Sequence, residues 1–308
     1  MSVLGSISAQ AFLAEYWQQK PLLIRGACPD YQAPLTADEL AGLALEEEIE
    51  SRLVIESGAG GPWALRHGPF TEQDFAELPS SNWTLLVQAL DLWVPDVRPL
   101  LELFDFLPPW RVDDIMASYA APGGSVGPHF DQYDVFLLQV EGARRWQIGP
   151  RCSEDTPRVP GTDLNIIRDF EASQEWLLEP GDMLYLPPQI SHWGVAETQC
   201  MTFSIGFRAP ALSDMLGDLA IEISAQGNDR YYTDPALTPM MAGSEIDAAF
   251  IAQAKRMLHE LIDDDALIGD WFARFMTSPK YPDLQDQTME QRVAELGSRF
   301  YRNGEEVD

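Results

Sequence analysis

The sequence predicts a mixed α+β protein: helices, then a β-sandwich or barrel, then a helical module beginning near residue 210. Two observations carry this. Between residues 134 and 207, short runs rich in strand-forming residues recur and each is closed by a turn signal. After Pro210 the turn residues thin out and helix-compatible periodicity takes over. The length of 308 residues exceeds the usual single domain, and a hydrophobic content of 45% is enough for a sizeable core. A boundary is therefore placed at 209.

In chain order, Ser8 is a candidate N-cap for a first helix, with Phe12, Leu13, Tyr16 and Trp17 at helical spacing. Pro21 then opens a short apolar run, Leu22-Leu23-Ile24, that reads as a strand. Thr36 to Arg52 reads as a helix with Leu40, Leu43 and Leu45 inward and Glu46-Glu47-Glu48 on a solvated face. Residues 53 to 110 mix apolar runs, prolines and aromatics, and read as strands and loops around a core. Asp134 to Val140 is a strand closed by Glu141-Gly142, with Arg145 to Gly149 as its expected hairpin partner. Glu179-Pro180-Gly181-Asp182 is a turn into Met183 to Leu186, and His192 to Val195 and Met201 to Phe207 continue the pattern. Beyond, Ala211 to Ala225 and Ser244 to Met276 read as helical, linked by Gly227 to Gly243. No internal repeat or low-complexity segment is present.

No stretch approaches the ~20 apolar residues of a membrane span. The start, Met1 to Trp17, lacks the basic opening and small-residue cleavage site of a secretory signal, so a cytoplasmic location is expected. Cys28, Cys152 and Cys200 are far apart and odd in number, which argues against a disulfide framework or a paired-cysteine zinc site and for reduced thiols. With 20 basic and 49 acidic side chains the net charge is −29. Such a surface repels phosphate backbones, so direct nucleic-acid binding is not expected. The acidity fits either solubility alone or steering of a basic partner.

Of four histidines, His129 is the informative one, in Gly127-Pro128-His129-Phe130-Asp131. Residues i and i+2 of an extended chain share a face, so His129 and Asp131 can present an imidazole and a carboxylate together. His192, just after a strand and 61 residues beyond Asp131, is the candidate third ligand. Two histidines and one carboxylate on one side of a metal leave open positions, which suits iron(II) and O₂ chemistry. As bare spacing the pattern is weak. Arg144-Arg145 opens the strand expected beside the metal-bearing one, and alternation puts only one of the pair inside. His67 reads as a loop or strand-end residue and His259 as a solvent-facing helical one; neither is assigned to the site.

Longer motifs then resemble a known family. Phe12 to Arg25, Gly123 to Phe136, Glu141 to Trp146 and Pro180 to Pro188 are similar to the bacterial JmjC-type ribosomal oxygenases, over roughly residues 10 to 290. The branch matched hydroxylates an arginine of large-subunit ribosomal protein L-sixteen. The resemblance implies a double-stranded β-helix (cupin or jelly-roll) JmjC barrel with N-terminal helices over 1–209. It also implies a helical dimerisation module over 210–280 and a winged-helix-like C-terminal domain beginning over 281–308. It implies iron(II) held by His129, Asp131 and His192, with 2-oxoglutarate and O₂ as co-substrates. Arg144 matches the residue that meets the distal carboxylate of 2-oxoglutarate, and Ser118 a position near it. A basic ribosomal protein substrate and a homodimer follow. The family's terminal domain is longer; here the sequence stops at Asn303 to Asp308, where a hairpin should continue, as in a truncated or short member.

Two rival readings stay open: a cupin-type metalloenzyme without 2-oxoglutarate, and a non-catalytic protein-binding barrel. Arg144 and an HxD in place of an HxH weigh against the first.

Overall fold

The computed structural model describes residues 2–57, 61–227, 230–238, 246–284 and 292–307. The chain divides into two compact units, one over Met1–Ala209 with Asp283–Glu290, the other over Pro210–Pro282 with Gln291–Asp308. No helix among the described residues is long and apolar enough to cross a membrane.

The first unit begins with α1 (Ala9–Glu15), capped by Ser8, whose hydroxyl accepts from the Ala11 amide at 3.2 Å. Then come β1 (Leu22–Ile24), α2 (Ala37–Leu43), β2 (Ser51–Glu56), β3 (Trp63–His67), α3 (Glu72–Ala76), β4 (Trp83–Val87) and α4 (Leu90–Trp93). The barrel strands follow: β5 (Val112–Ala120), β6 (Val135–Glu141), β7 (Arg144–Arg151), β8 (Gln174–Leu178), β9 (Met183–Leu186), β10 (Ile190–Ala196) and β11 (Cys200–Phe207). They form an eight-stranded sheet in the order β1-β9-β6-β11-β5-β4-β2-β3 and a three-stranded sheet in the order β10-β7-β8, with antiparallel neighbours throughout.

β6 explains the layering. Its odd-numbered Val135 and Leu137 join Leu184 and Leu186 of β9 against Trp146, Ile148, Leu178 and Ile190 of the small sheet. Its even-numbered Phe136 and Leu138 point the other way, into the cluster that holds Phe12 and Leu40 of the helices. The strand is buried on both faces, which is why it reads as an unbroken apolar run rather than an alternation. Phe136 is fully buried, with the rings of Tyr185, Phe104 and Phe12 at 4.8, 4.9 and 5.6 Å. Phe136→Ala should cost about 3–5 kcal/mol, as large-to-small core substitutions of aromatics do. Denaturant unfolding checks this; a loss below about 1 kcal/mol would show that the helices do not depend on this layer.

Two expectations are corrected. β7 is not the hairpin partner of β6: β6 lies between β9 and β11, and β7 between β10 and β8, in the other sheet. The turn at Gly142, with φ +63°, carries the chain from one sheet to the other. The alternation of β7, inward at Arg144, Trp146 and Ile148, is that of a half-exposed strand, and such a strand cannot share the doubly buried layer of β6. The helix expected over Thr36 to Arg52 ends at Leu43. Thr36 and Glu39 close a capping box at its start, whereas Ser51–Glu56 pairs with both β3 and β4, and ladder bonds on both edges outweigh helix continuation. Glu46 to Glu48 are exposed, as their charge suggested.

The second unit contains α5 (Leu212–Ala225), α6 (Ala248–Ile262) and α7 (Asp265–Thr277), then β12 (Val293–Leu296), β13 (Arg299–Arg302) and β14 (Glu305–Val307) in one antiparallel sheet. The helical stretch expected over Ser244 to Met276 holds two helices, parted at Asp263-Asp264, where Asp264 caps α7. Its start at Ser244, part of the linker to Gly243, and residues 285–291 of the C-terminal segment lie outside the described residues. Asp270 of α7 gathers the Arg274, Arg299 and Tyr301 side chains at 2.9, 2.7 and 2.6 Å, tying the helix to the small sheet.

The thiols follow burial. Cys28 is pushed up to about 11 by desolvation, and Cys200 is raised for the same reason. At neutral pH both stay protonated and inert, while Cys152 is half-exposed. A brief pulse of an alkylating reagent followed by peptide mapping should therefore modify Cys152 first; faster labelling of Cys28 would contradict the packing.

Candidate metal centre

Between the two sheets lies a cavity of about 450 Å³. The loop from Gly123 to Asp134 brings His129 and Asp131 to its rim, and β10 brings His192. A narrow pair of backbone bonds fixes them: the His129 amide donates to the His192 carbonyl at 3.0 Å, and the His192 amide returns the bond at 2.8 Å. The Gln189 amide holds the Asp131 carbonyl at 2.7 Å. Gly127, with φ +78°, makes the bend before His129, and a Cβ there would lie 2.2 Å from Ile166 Cδ1. The expected extended presentation is therefore a single bridge in a loop, pinned by long-range bonds.

One ligand atom each from His129, Asp131 and His192 lies within 4.8 Å of the others. Both histidine Nδ1 atoms sit 2.9 Å from carbonyls, Gly127 for His129 and Ile190 for His192. A carbonyl only accepts, so each Nδ1 carries a proton, which leaves each Nε2 as the ring atom that can face the cavity as a ligand. Burial, followed by the neighbouring His129, pulls His192 down to about 4, so its imidazole is neutral at neutral pH. Its Nε2 stands 3.6 Å from Asp131 Oδ2, each atom facing the other. Two imidazoles and one carboxylate, converging without soft donors, fit a divalent transition metal with open positions.

Deeper in the same cavity is Arg144, 2% exposed. One Nη donates to Ser118 Oγ at 3.2 Å and the other to the Gly194 carbonyl at 3.3 Å, while the buried Nε has no partner. Among the described residues no carboxylate pairs with it, and burial alone lowers its proton affinity. A guanidinium in such a place calls for an anion. Arg145 shows the other half of the alternation: it is turned outward, bonded to Glu175 at 2.8 Å and Glu197 at 2.5 Å. β7 pairs with β10, Ile148 opposite His192, so Arg144 does open the strand beside the one that bears a candidate ligand.

The structure thus gathers all five candidate residues, Ser118, His129, Asp131, Arg144 and His192, into one cavity. It also brings in residues that sequence reading left out. His67 ends β3, as expected, yet it lines the cavity opposite Arg52, its cross-strand partner. Thr202 and Ser204 interrupt the apolar run of β11 on its cavity face, and that polar i, i+2 pair was a readable signal. Trp146, two residues after Arg144, also faces inward. His259 is exposed on α6.

A JmjC domain family model matches residues 99–215. The chain is 36% identical over 322 aligned positions to a ribosomal protein uL16 3-hydroxylase of Escherichia coli, covering 96% of this chain and 84% of the relative. It is 39% identical to a protein of Haemophilus influenzae named "Probable ribosomal oxygenase", over 78% of this chain and 59% of that one. Among solved structures, E. coli YcfD superposes with a TM-score of 0.88 at 34% identity, covering 100% of this chain and 88% of that one. The structure of the same protein, a ribosomal oxygenase, in complex with cobalt and 2-oxoglutarate gives 0.85 at 34% identity, over 98% and 86%.

Proposed function

The chain belongs to the bacterial JmjC-type ribosomal oxygenases, and from that premise we propose that it is an iron(II)- and 2-oxoglutarate-dependent hydroxylase of an arginine side chain in ribosomal protein uL16, the L-sixteen protein of the large subunit. The observation that carries this reading is Arg144: a buried cation with no anion beside it among the described residues, in the same cavity as a two-histidine, one-carboxylate cluster. A metal site alone needs no such cation, and a protein-binding barrel needs neither.

In this reading His129 and His192 hold the metal through Nε2 and Asp131 through its carboxylate. Their Nδ1–H bonds to the Gly127 and Ile190 carbonyls fix both rings. Arg144 meets the distal carboxylate of 2-oxoglutarate, steadied by Ser118 Oγ. With iron(II) and 2-oxoglutarate bound, the centre supplies an O₂-dependent oxidation that couples decarboxylation of 2-oxoglutarate to insertion of one oxygen atom into a substrate C–H bond. The apolar walls, Val135 and Leu137 among them, keep water away from the seat of the co-substrate.

The net charge of −29 supports a basic protein substrate, and argues against a nucleic acid as the direct ligand. We take residues 1–209 as the catalytic domain, 210–280 as a dimerisation module and 281–308 as the start of a winged-helix-like domain, acting in the cytoplasm. Exposed Leu216 and Ile221 on α5 and Leu258 on α6 support a homodimer through that module.

The experiment is mass spectrometry of purified uL16 incubated with the protein, iron(II), ascorbate and 2-oxoglutarate. The expected result is a gain of about 16 Da on one arginine, one oxygen atom, with stoichiometric succinate. Modification of another residue type would overturn the arginine assignment; absence of both oxygenation and 2-oxoglutarate binding would overturn the whole reading.

A further inference from the structure

The strands that carry Arg144 and His192 run side by side, with Ile148 opposite His192, Trp146 opposite Gly194 and Arg144 opposite Ala196. Alternation places Arg144, Trp146 and Ile148 on the cavity side of β7. Arg144 and the position opposite His192 are thus two pleats apart, on the order of 13 Å along the strand. Trp146 is the one inward residue between them.

Its neighbour across the ladder has no side chain. A Cβ at position 194 would lie 2.7 Å from both Cζ3 and Cη2 of Trp146 and 2.8 Å from Arg144 Nε, closer than carbon atoms approach without something moving. Gly194 does not have a left-handed backbone, so it is space and not conformation that glycine provides here. The far end of the indole therefore fills the space that a side chain at position 194 would need. The Arg144 guanidinium stands 5.1 Å over the indole ring, and the His192 ring centroid lies 5.8 Å from that of the indole. Trp146 is 5% exposed, and its Nε1 is buried without a partner, as is Arg144 Nε.

We propose that Trp146, seated on the bare Gly194, is the spacer that sets how far Arg144 stands from the metal-side histidine, and so selects the length of the dicarboxylate co-substrate. This rests on the reading of Arg144 as the anchor of that co-substrate's distal carboxylate. The physical basis is that a buried charge-assisted bond loses most of its value when its two ends are offset, because the anion has already given up its water. A rigid ring between anchor and metal fixes one span. The match then discriminates by whole methylene steps.

The test is calorimetric titration of the manganese(II)-loaded protein, without oxygen, with 2-oxoglutarate, its homologue one methylene shorter (oxaloacetate) and its homologue one methylene longer (2-oxoadipate). The parent chain should bind 2-oxoglutarate tightest. Trp146→Phe shortens the spacer and lets Arg144 stand closer, so the preference for 2-oxoglutarate over the shorter homologue should shrink about tenfold, the worth of one net hydrogen bond. Gly194→Ala should weaken 2-oxoglutarate by about the same factor, and the double variant should recover most of it, since the smaller phenyl ring vacates the space the new methyl needs. If Gly194→Ala does not fold, the length profile of Trp146→Phe decides by itself. A Trp146→Phe protein with the parent length profile would overturn the spacer, even where Arg144→Ala has lost 2-oxoglutarate. Failure of the parent chain to bind 2-oxoglutarate would overturn the Arg144 reading as well.

Discussion

Replacing Asp131 with alanine is expected to abolish turnover and leave the protein folded. Asp131 is the one carboxylate of the cluster, and its side chain is 23% exposed. Its side chain faces the Nε2 edge of His192 across 3.6 Å, and it is the backbone carbonyl, not the side chain, that Gln189 holds. The loop therefore keeps its anchors when the carboxylate goes. The centre does not: two imidazoles remain, with no negative charge to offset a divalent cation. Loss of a residue that only orients a ligand weakens metal binding roughly 10–100-fold, and loss of a ligand should exceed that range. Manganese(II) titration followed by calorimetry, with circular dichroism as the fold control, measures both halves. An Asp131→Ala protein with parent metal affinity would end the ligand assignment.

Arg144→Ala has the second large effect, and it separates binding from stability. Removing one partner of a buried, hydrogen-bonded charge pair costs about 2–5 kcal/mol of binding, so 2-oxoglutarate affinity should fall ~30-fold to several thousand-fold. Without co-substrate the same change removes a buried cation that has no anion beside it among the described residues. The ligand-free protein should then be no less stable than its parent beyond the packing lost from the side chain's stem. A thermal melt shows the contrast directly: the parent is raised by 2-oxoglutarate and manganese(II), the variant is not. A variant that still gains stability from 2-oxoglutarate would place the anion elsewhere.

Much of this was legible in local sequence. Ser8 caps its helix, Glu179 to Asp182 turns into β9, and period-two alternation allows one of Arg144 and Arg145 inside, as the structure has it. The i, i+2 spacing of His129 and Asp131 brings their side chains to one place. What was not legible depends on partners far along the chain. Residues 36 to 52 carry enough helical pattern for five turns, and only pairing on both edges of β2 shows where the helix must stop. A turn after β6 predicts a hairpin, and only the burial of both β6 faces reveals that the next strand belongs to the other sheet. The seating of His192 against His129 rests on two backbone bonds across 63 residues, which no local window contains. His67 reaches the cavity because β3 pairs with β2, and nothing near it in sequence says so.

Asp134, three residues after Asp131, is completely buried. It accepts from Tyr185 Oη at 2.6 Å and from Gln18 Nε2 at 3.1 Å, with Arg111 at 3.5 Å, and the Gln18 amide in turn donates to Tyr185 Oη at 2.7 Å. Gln18 belongs to the segment just after α1, outside the barrel proper. A barrel trimmed to begin at β1 would keep every candidate ligand and still lose the keystone that seats their loop, leaving a half-solvated carboxylate where an anchored one stood. The segment that follows the N-terminal helix is thus part of the frame that seats the candidate ligands, and any shortened barrel should carry it along.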